Sequence, residues 1–190
     1  MKKDFDNAAT IALIEDYLKG DLSAFNRLYD SYRLPLFNYI RRQLNSQHET
    51  EDIYQDIWMS ALKSLKDFRR DSNFTTWLFA IAHNRLVDYW RKHQKLENGI
   101  ELDALSAQSH SLEYQQFLSD CVELLSQLIA TLKPSQKNTF LLQQESRLSL
   151  EEIATVTGTN RETVKSRLRY ALQKLRSGLK DCMTSGDDHG

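Results

Sequence analysis

The chain of 190 residues is long enough for one large domain or two small ones, and an apolar content of 41% allows a buried core, which excludes disorder of the whole. Only six glycines and two prolines interrupt a chain rich in Leu, Gln, Lys, Arg, Glu and Ala, which predicts an all-α protein. The start of the chain has no apolar run of the signal-peptide kind and no stretch is long enough to span a bilayer, so a cytoplasmic protein without membrane insertion is expected.

In chain order, a first helix is predicted over 8–18, closed by Gly20, and a second from the cap Asp21, carrying Phe25, Leu28, Tyr29 and Tyr32 at helical spacing. Pro35 predicts a kink or a restart, with helix continuing to about Leu44. Ser46 and Glu49 have the spacing of a capping box that opens a helix of about eighteen residues. A polar loop over 68–73 and a helix over 74–92 follow. Periodicity then vanishes over 94–112, a polar stretch read as a flexible linker. Beyond it lies a helix with Phe117, Cys121, Leu124, Leu125, Leu128, Ile129 and Leu132 on one face. Pro134 suits the first turn of the next helix. Two more capping boxes come last, Ser149 with Glu152 and Thr159 with Glu162. Cys121 and Cys182 lack a CxxC spacing or a neighbouring His, and read as cytosolic thiols with neither a disulfide framework nor a zinc site.

Net charge is only −1, yet its distribution is uneven. Basic residues gather over 66–95 (Lys66, Arg69, Arg70, Arg85, Arg91, Lys92, Lys95) and over 134–180, while 96–133 is acidic. Two basic segments with an acidic stretch between them suit two separate phosphate-contacting surfaces. The sharper signal lies over 149–176. A capped helix ends at Gly158, and a second capped helix starts near Asn160, the spacing of a helix-turn-helix. Ile153, Ala154 and Val164 fit its inner angle, with Leu168, Leu172 and Leu175 continuing the buried stripe. Arg161, Lys165 and Arg169 recur at i, i+4, i+8 on the other face, flanked by Asn160, Thr163, Ser166 and Arg167, the arrangement of a recognition helix for the major groove. Glu162 is read as closing the capping box.

In the first half, Glu49, Asp52, Gln55 and Asp56 form an acidic ridge opposite Ile53, Ile57 and Ala61. The next helix places Trp77, Ile81, Leu86 and Tyr89 at core spacing, with Asn84, Arg85, Asp88, Arg91 and Lys92 outside. The runs 51–58 (EDIYQDIW), 74–88 (FTTWLFAIAHNRLVD), 150–154 (LEEIA) and 164–168 (VKSRL), in this order, resemble bacterial sigma factors of the sigma-70 superfamily, in the extracytoplasmic-function (ECF) group. The resemblance implies a promoter-specificity subunit that binds core RNA polymerase and starts transcription of a dedicated, stress- or signal-responsive set of genes, without cofactor or catalysis of its own. It implies two helical domains: 1–94, which binds the polymerase and reads and melts the −10 element, and 113–182, whose helix-turn-helix reads the −35 element. Residues 95–112 would be the linker and 183–190 a disordered tail. Glu49, Asp52, Gln55 and Asp56 would meet the clamp of the largest polymerase subunit, where complementary charge serves orientation and rate. Arg69, Arg70, Ser72, Asn73 and Thr75, with Asn84, Arg85, Asp88, Arg91 and Lys92, would take the −10 strand, a flipped base costing a few kcal/mol that their contacts must offset. A dedicated anti-sigma factor is also implied.

Simpler readings compete at several positions. Trp77 and Trp90 could stack on bases, but Trp77 at core spacing is read as buried, and Phe74 is open between core and base platform. His48 and Asp52, near Glu49 and Asp56, could be half of a metal site, but no second helix supplies matching ligands. His83 is read as a packing or capping residue. No nucleotide loop or hydrolase motif is present, and the alternative function is a stand-alone helix-turn-helix regulator whose first domain senses a ligand or dimerises.

Overall fold

The computed structural model describes residues 5–44, 46–93, 113–180 and 182, with backbone alone for 113–119. The expected linker over 95–112 and tail over 183–190 lie outside the described residues. The described chain is all-α: α1 (Asn7–Leu18), α2 (Leu22–Arg41), α3 (Gln47–Ser64), a 3₁₀ turn (Leu65–Asp67), α4 (Phe74–His93), α5 (Glu113–Ala130), α6 (Pro134–Ser146), α7 (Leu150–Thr157) and α8 (Arg161–Gly178). No helix among the described residues is long and apolar enough to cross a membrane.

The first four helices pack around Ile14, Leu28, Tyr32, Leu36, Tyr39, Ile57, Leu78, Phe79 and Leu86, all essentially inaccessible. Helix α2 continues through Pro35 without the restart that was one of the two expectations. An interior proline costs about 3 kcal/mol in a helix. The fully buried Tyr32, Leu36, Tyr39 and Ile40 lie on both sides of it, and burial of such side chains at about 1.5–3 kcal/mol each outweighs that cost. Beside this core, Phe25, Tyr29, Tyr54 and Trp58 form an aromatic cluster between α2 and α3, with Trp58 5.0 Å from Tyr29 and edge-on to Phe25 at 6.1 Å.

The second half forms around Leu141, Leu142, Ile153, Val164, Leu168, Ala171 and Leu175. Leu172, expected in that stripe, is half-buried, and Ala171 takes the inner position. Gly158 closes α7 in the left-handed conformation, φ 61°, where a side chain would be strained. Gly178 allows α8 to approach α5 closely: a Cβ there would come within 2.5 Å of Leu128 Cδ2. One correction concerns the cysteines. Cys121 on α5 and Cys182 just beyond α8 form a disulfide, with Cα atoms 5.9 Å apart. The spacing in sequence, 61 residues, gave no hint of it; the antiparallel packing of α5 on α8 brings the two together.

The two halves dock on each other, α7 and α6 against α4, and α6 against α2. Their junction holds a polar network around Asn138 and an ion pair at its edge, and both candidate promoter-reading elements lie beside it.

Candidate nucleic-acid and polymerase interface

The helix-turn-helix is built by its caps. Ser149 and Glu152 form the complete capping box, the Ser149 hydroxyl accepting from Glu152 N at 3.2 Å and the Glu152 carboxylate accepting from Ser149 N at 2.8 Å. The second box differs from expectation. Asn160, not Thr159, caps α8, its side chain accepting from Thr163 N at 2.8 Å. Glu162 therefore does not close a box; it pairs with Arg161 at 3.1 Å and lies 4.0 Å from Lys165. Arg161 also donates to Glu151, whose carboxyl is held below its ordinary range by a backbone hydrogen bond and by this arginine. Arg161, Lys165 and Arg169 are exposed on the outer face as expected, and Arg169 leans over the Tyr170 ring at 5.1 Å. Thr163 and Ser166 are half-buried. Arg167 is half-buried and turns toward the junction, where its charge acts on His83.

In the first half, the loop 68–73 hangs between two buried aromatic anchors, Phe68 and Phe74. Trp77 is half-buried against both, at 5.2 and 5.3 Å, under the loop. Phe74 is thus a core residue, 1% exposed. Arg69 is exposed and forms a two-bond pair with Asp71, at 3.1 and 2.6 Å, which holds the Asp71 carboxyl below its ordinary range. Arg70 folds back onto the Phe68 carbonyl. Ser72 is half-buried and Asn73 exposed. Thr75 does not face solvent: it is 4% exposed, and its hydroxyl bonds Tyr32 Oη at 3.1 Å. Along α4, Asn84, Arg85, Arg91 and Lys92 are exposed. Arg85 donates to Ser60 Oγ at 2.7 Å, and Arg91 pairs with the half-buried Asp88 at 2.7 Å.

On α3, Asp52, Gln55 and Asp56 are exposed along one side, and Met59, 53% exposed, extends that side by one turn. Only the Ser46 half of the expected box is seen, accepting from Glu49 N at 3.3 Å. The Glu49 carboxylate faces His93 at 3.5 Å instead, which draws it away from the ridge. His48 and Asp52 pair at 3.0 Å on α3, and no group of three metal-ligating side chains occurs among the described residues.

The junction itself has no local signature in the sequence. Tyr39 Oη donates to Asn138 Oδ1 at 2.6 Å and Gln43 Nε2 to the same oxygen at 3.0 Å, while the Asn138 amide nitrogen lies 3.2 Å from His83 Nδ1. Burial pushes the Tyr39 hydroxyl far above its ordinary range and pulls Lys137 and His83 down, Arg167 adding to the effect on His83. Arg42 and Glu145 pair at 3.4 Å at the edge. At the other end, Glu152 Oε1 accepts from the Asn73 amide at 2.7 Å and from the Thr76 hydroxyl at 3.0 Å. Asn73 thus bonds Glu152, and the adjacent Glu151 bonds Arg161, so the loop and the recognition helix lie next to each other.

Comparison with known proteins matches residues 28–96 to Sigma-70 region 2 and residues 123–175 to Sigma-70 region 4. The RNA polymerase sigma factor YlaC of Bacillus subtilis is 30% identical over 155 residues, spanning 80% of this chain and 90% of the relative. The ECF RNA polymerase sigma factor SigW of the same organism is 30% identical over 181 residues, 88% of this chain and 95% of its own. Among solved structures, sigma factor RpoE in complex with the anti-sigma factor NepR from Bartonella quintana superposes with a TM-score of 0.68 at 25% identity, over 84% of this chain and 98% of that one. CnrH in complex with the cytosolic domain of CnrY shares the fold, with a TM-score of 0.65 at 22% identity over 91% of this chain and 98% of that one. With both regions present in order and relatives matched along nearly their whole length, the chain belongs to the ECF group of the sigma-70 family of RNA polymerase sigma factors.

Proposed function

We propose that this promoter-specificity subunit works through three separate surfaces. The exposed side of α3, with Asp52, Gln55, Asp56 and the neighbouring Met59, meets the clamp of the largest polymerase subunit. The loop 68–73 and the outer face of α4 take the non-template strand of the −10 element, and the outer face of α8 reads the −35 duplex. The division into residues 1–94 and 113–182 follows this split. The observation that carries the reading is the exposed row Arg161, Lys165 and Arg169 on the second helix of a fully capped helix-turn-helix, an arrangement that addresses guanine edges and phosphates together. Among the residues expected at the DNA, Asn160 serves first as a cap, Thr75 serves the core, and Arg167 serves the junction. The direct contacts therefore fall to their exposed neighbours.

The protein acts by binding, in the cytoplasm, and the polymerase supplies the nucleotide chemistry. The family places its relatives on polymerase, which replaces the stand-alone regulator. An anti-sigma factor, the partner named for the Bartonella quintana neighbour, is inferred for this chain as well.

Co-elution with core polymerase and run-off transcription on promoter fragments test the assignment together. Arg161, Lys165 and Arg169 changed to Ala should lower transcription from −35-dependent promoters at least about tenfold, since each good base contact contributes about 1–3 kcal/mol, and leave co-elution intact. Asp52 and Asp56 changed to Lys should abolish co-elution with the helical circular dichroism unchanged. Loss of both properties in the α8 variant would contradict the separation of surfaces.

A further inference from the structure

The first helix, α1, precedes the matched region 2, which begins at residue 28, yet it holds the loop assigned to the −10 strand. The first N–H groups of any helix lack partners within it. In α4, Asn73 supplies three of these: its side chain accepts from Thr75 N at 2.8 Å and Thr76 N at 3.3 Å, and its carbonyl accepts from Trp77 N at 3.1 Å. The remaining donor, Phe74 N, is taken by Asn7 Oδ1 at 3.0 Å, from 67 residues away. The same Asn7 amide donates through Nδ2 to the Ser72 carbonyl at 3.2 Å. Asn7 therefore grips the backbone on both sides of Asn73.

Behind this clamp stands a relay of buried groups. Thr10 Oγ1 lies 3.3 Å from Tyr32 Oη, which lies 3.1 Å from Thr75 Oγ1 in the first turn of α4. Phe5 stacks on the Tyr32 ring at 4.5 Å, and Tyr32 meets Phe74 edge-on at 5.2 Å. Asp6 caps α1 through Ala8 N at 2.9 Å, which fixes where Asn7 leaves the helix end. Both functions of the Asn7 amide are used, one donor and one acceptor, so neither Asp nor Ala reproduces them.

We propose that Asn7 is a positioning residue for promoter reading: it sets the backbone at Asn73 so that the Asn73 side chain and the loop 68–73 meet the unpaired −10 strand in one geometry. The proposal rests on the assignment of that loop to the −10 element. Removing the clamp leaves Phe74 N and the Ser72 carbonyl to solvent and lets the loop sample other orientations. The cost falls on base selection, not on polymerase binding, because the exposed side of α3 and the whole of α8 lie outside these contacts.

The test uses holoenzyme reconstituted from core polymerase and the full chain, transcribing a promoter library randomised in the −10 element, with transcripts counted by sequencing. Asn7→Ala should reduce transcription from the best −10 sequences about tenfold, the scale of a lost cap, and flatten the ranking among sequences, with co-elution unchanged. Asn7→Asp keeps the acceptor for Phe74 N and adds negative charge at the start of α4, so it should fold well and lie between Asn7→Ala and the parent in ranking. A purely structural role would lower the melting temperature and scale all promoters down equally; that outcome overturns the proposal. Asn73→Ala, measured in parallel, separates the two levels. If it flattens the ranking and Asn7→Ala does not, the proposal alone fails; if neither variant alters the ranking, the assignment of the loop fails and the proposal with it.

Discussion

His83 shows how one residue at the junction couples the halves to solution conditions. Asn138 and Arg167, which face it, both come from the second half, and burial there pulls its imidazole below the ordinary value of 6.5. The folded chain therefore takes up a proton less readily than the unfolded chain, so stability is complete above pH 6.5 and falls as the pH drops through that value, until the lowered folded value is reached. Urea unfolding between pH 8 and 5.5 should show this decline, and His83→Gln, which does not titrate, should lose that component of it. An identical pH slope in the variant would contradict the role given to His83. In sequence, His83 reads only as a packing or capping residue on a helix. Its partners lie 55 residues away or more on elements whose docking no local pattern encodes.

At the scale of elements, the disulfide between Cys121 and Cys182 ties the start of the second half to its end. Closing a loop of 61 residues removes about 4 kcal/mol of unfolded-chain entropy in the simple chain model, and measured values for native bridges run about 2–4 kcal/mol. Reductant should lower the unfolding midpoint of the second half accordingly, and Cys121→Ser should behave as the reduced chain with or without reductant; superimposable curves would contradict a stabilising bridge. The helices themselves were legible in the sequence because their signals are local: Asp21, Ser46, Ser149 and Gly158 mark ends within a turn of where they occur. The outer face of α8 and the exposed side of α3 were legible for the same reason. What failed needed distant partners. Pro35 is carried by the core that surrounds it, and Glu49 turns to His93 at the far end of α4. The disulfide depends on α5 lying along α8. The cap of α8 moved by one residue because Asn160 and Thr159 are both good caps, and only the turn geometry chooses between them.

For the whole molecule, the closed arrangement sets a physical condition on function. Glu152 occupies the donors of Asn73 and Thr76, and its neighbour Glu151 holds Arg161, so the loop and the recognition helix sit side by side. Two promoter elements about 25 base pairs apart are separated by roughly 85 Å of B-form duplex at 3.4 Å per step. With the loop and α8 as the proposed reading surfaces, one chain cannot touch both elements while they are adjacent, so that assignment requires α7 to leave α4 and the Asn138 network to break before the promoter is engaged. The interface includes exchangeable polar contacts, the Asn138 hydrogen bonds and the edge ion pair of Arg42 with Glu145, which water can replace at modest cost. The direct measurement is fluorescence energy transfer between dyes at positions 71 and 155, on the loop and on the exposed side of α7. Separation of the two surfaces on the promoter predicts high transfer in the free chain and a distance above about 60 Å once core polymerase and a promoter carrying both elements are present. Transfer that stays high in the transcribing complex would contradict it, because the two reading surfaces would then never reach two separate elements.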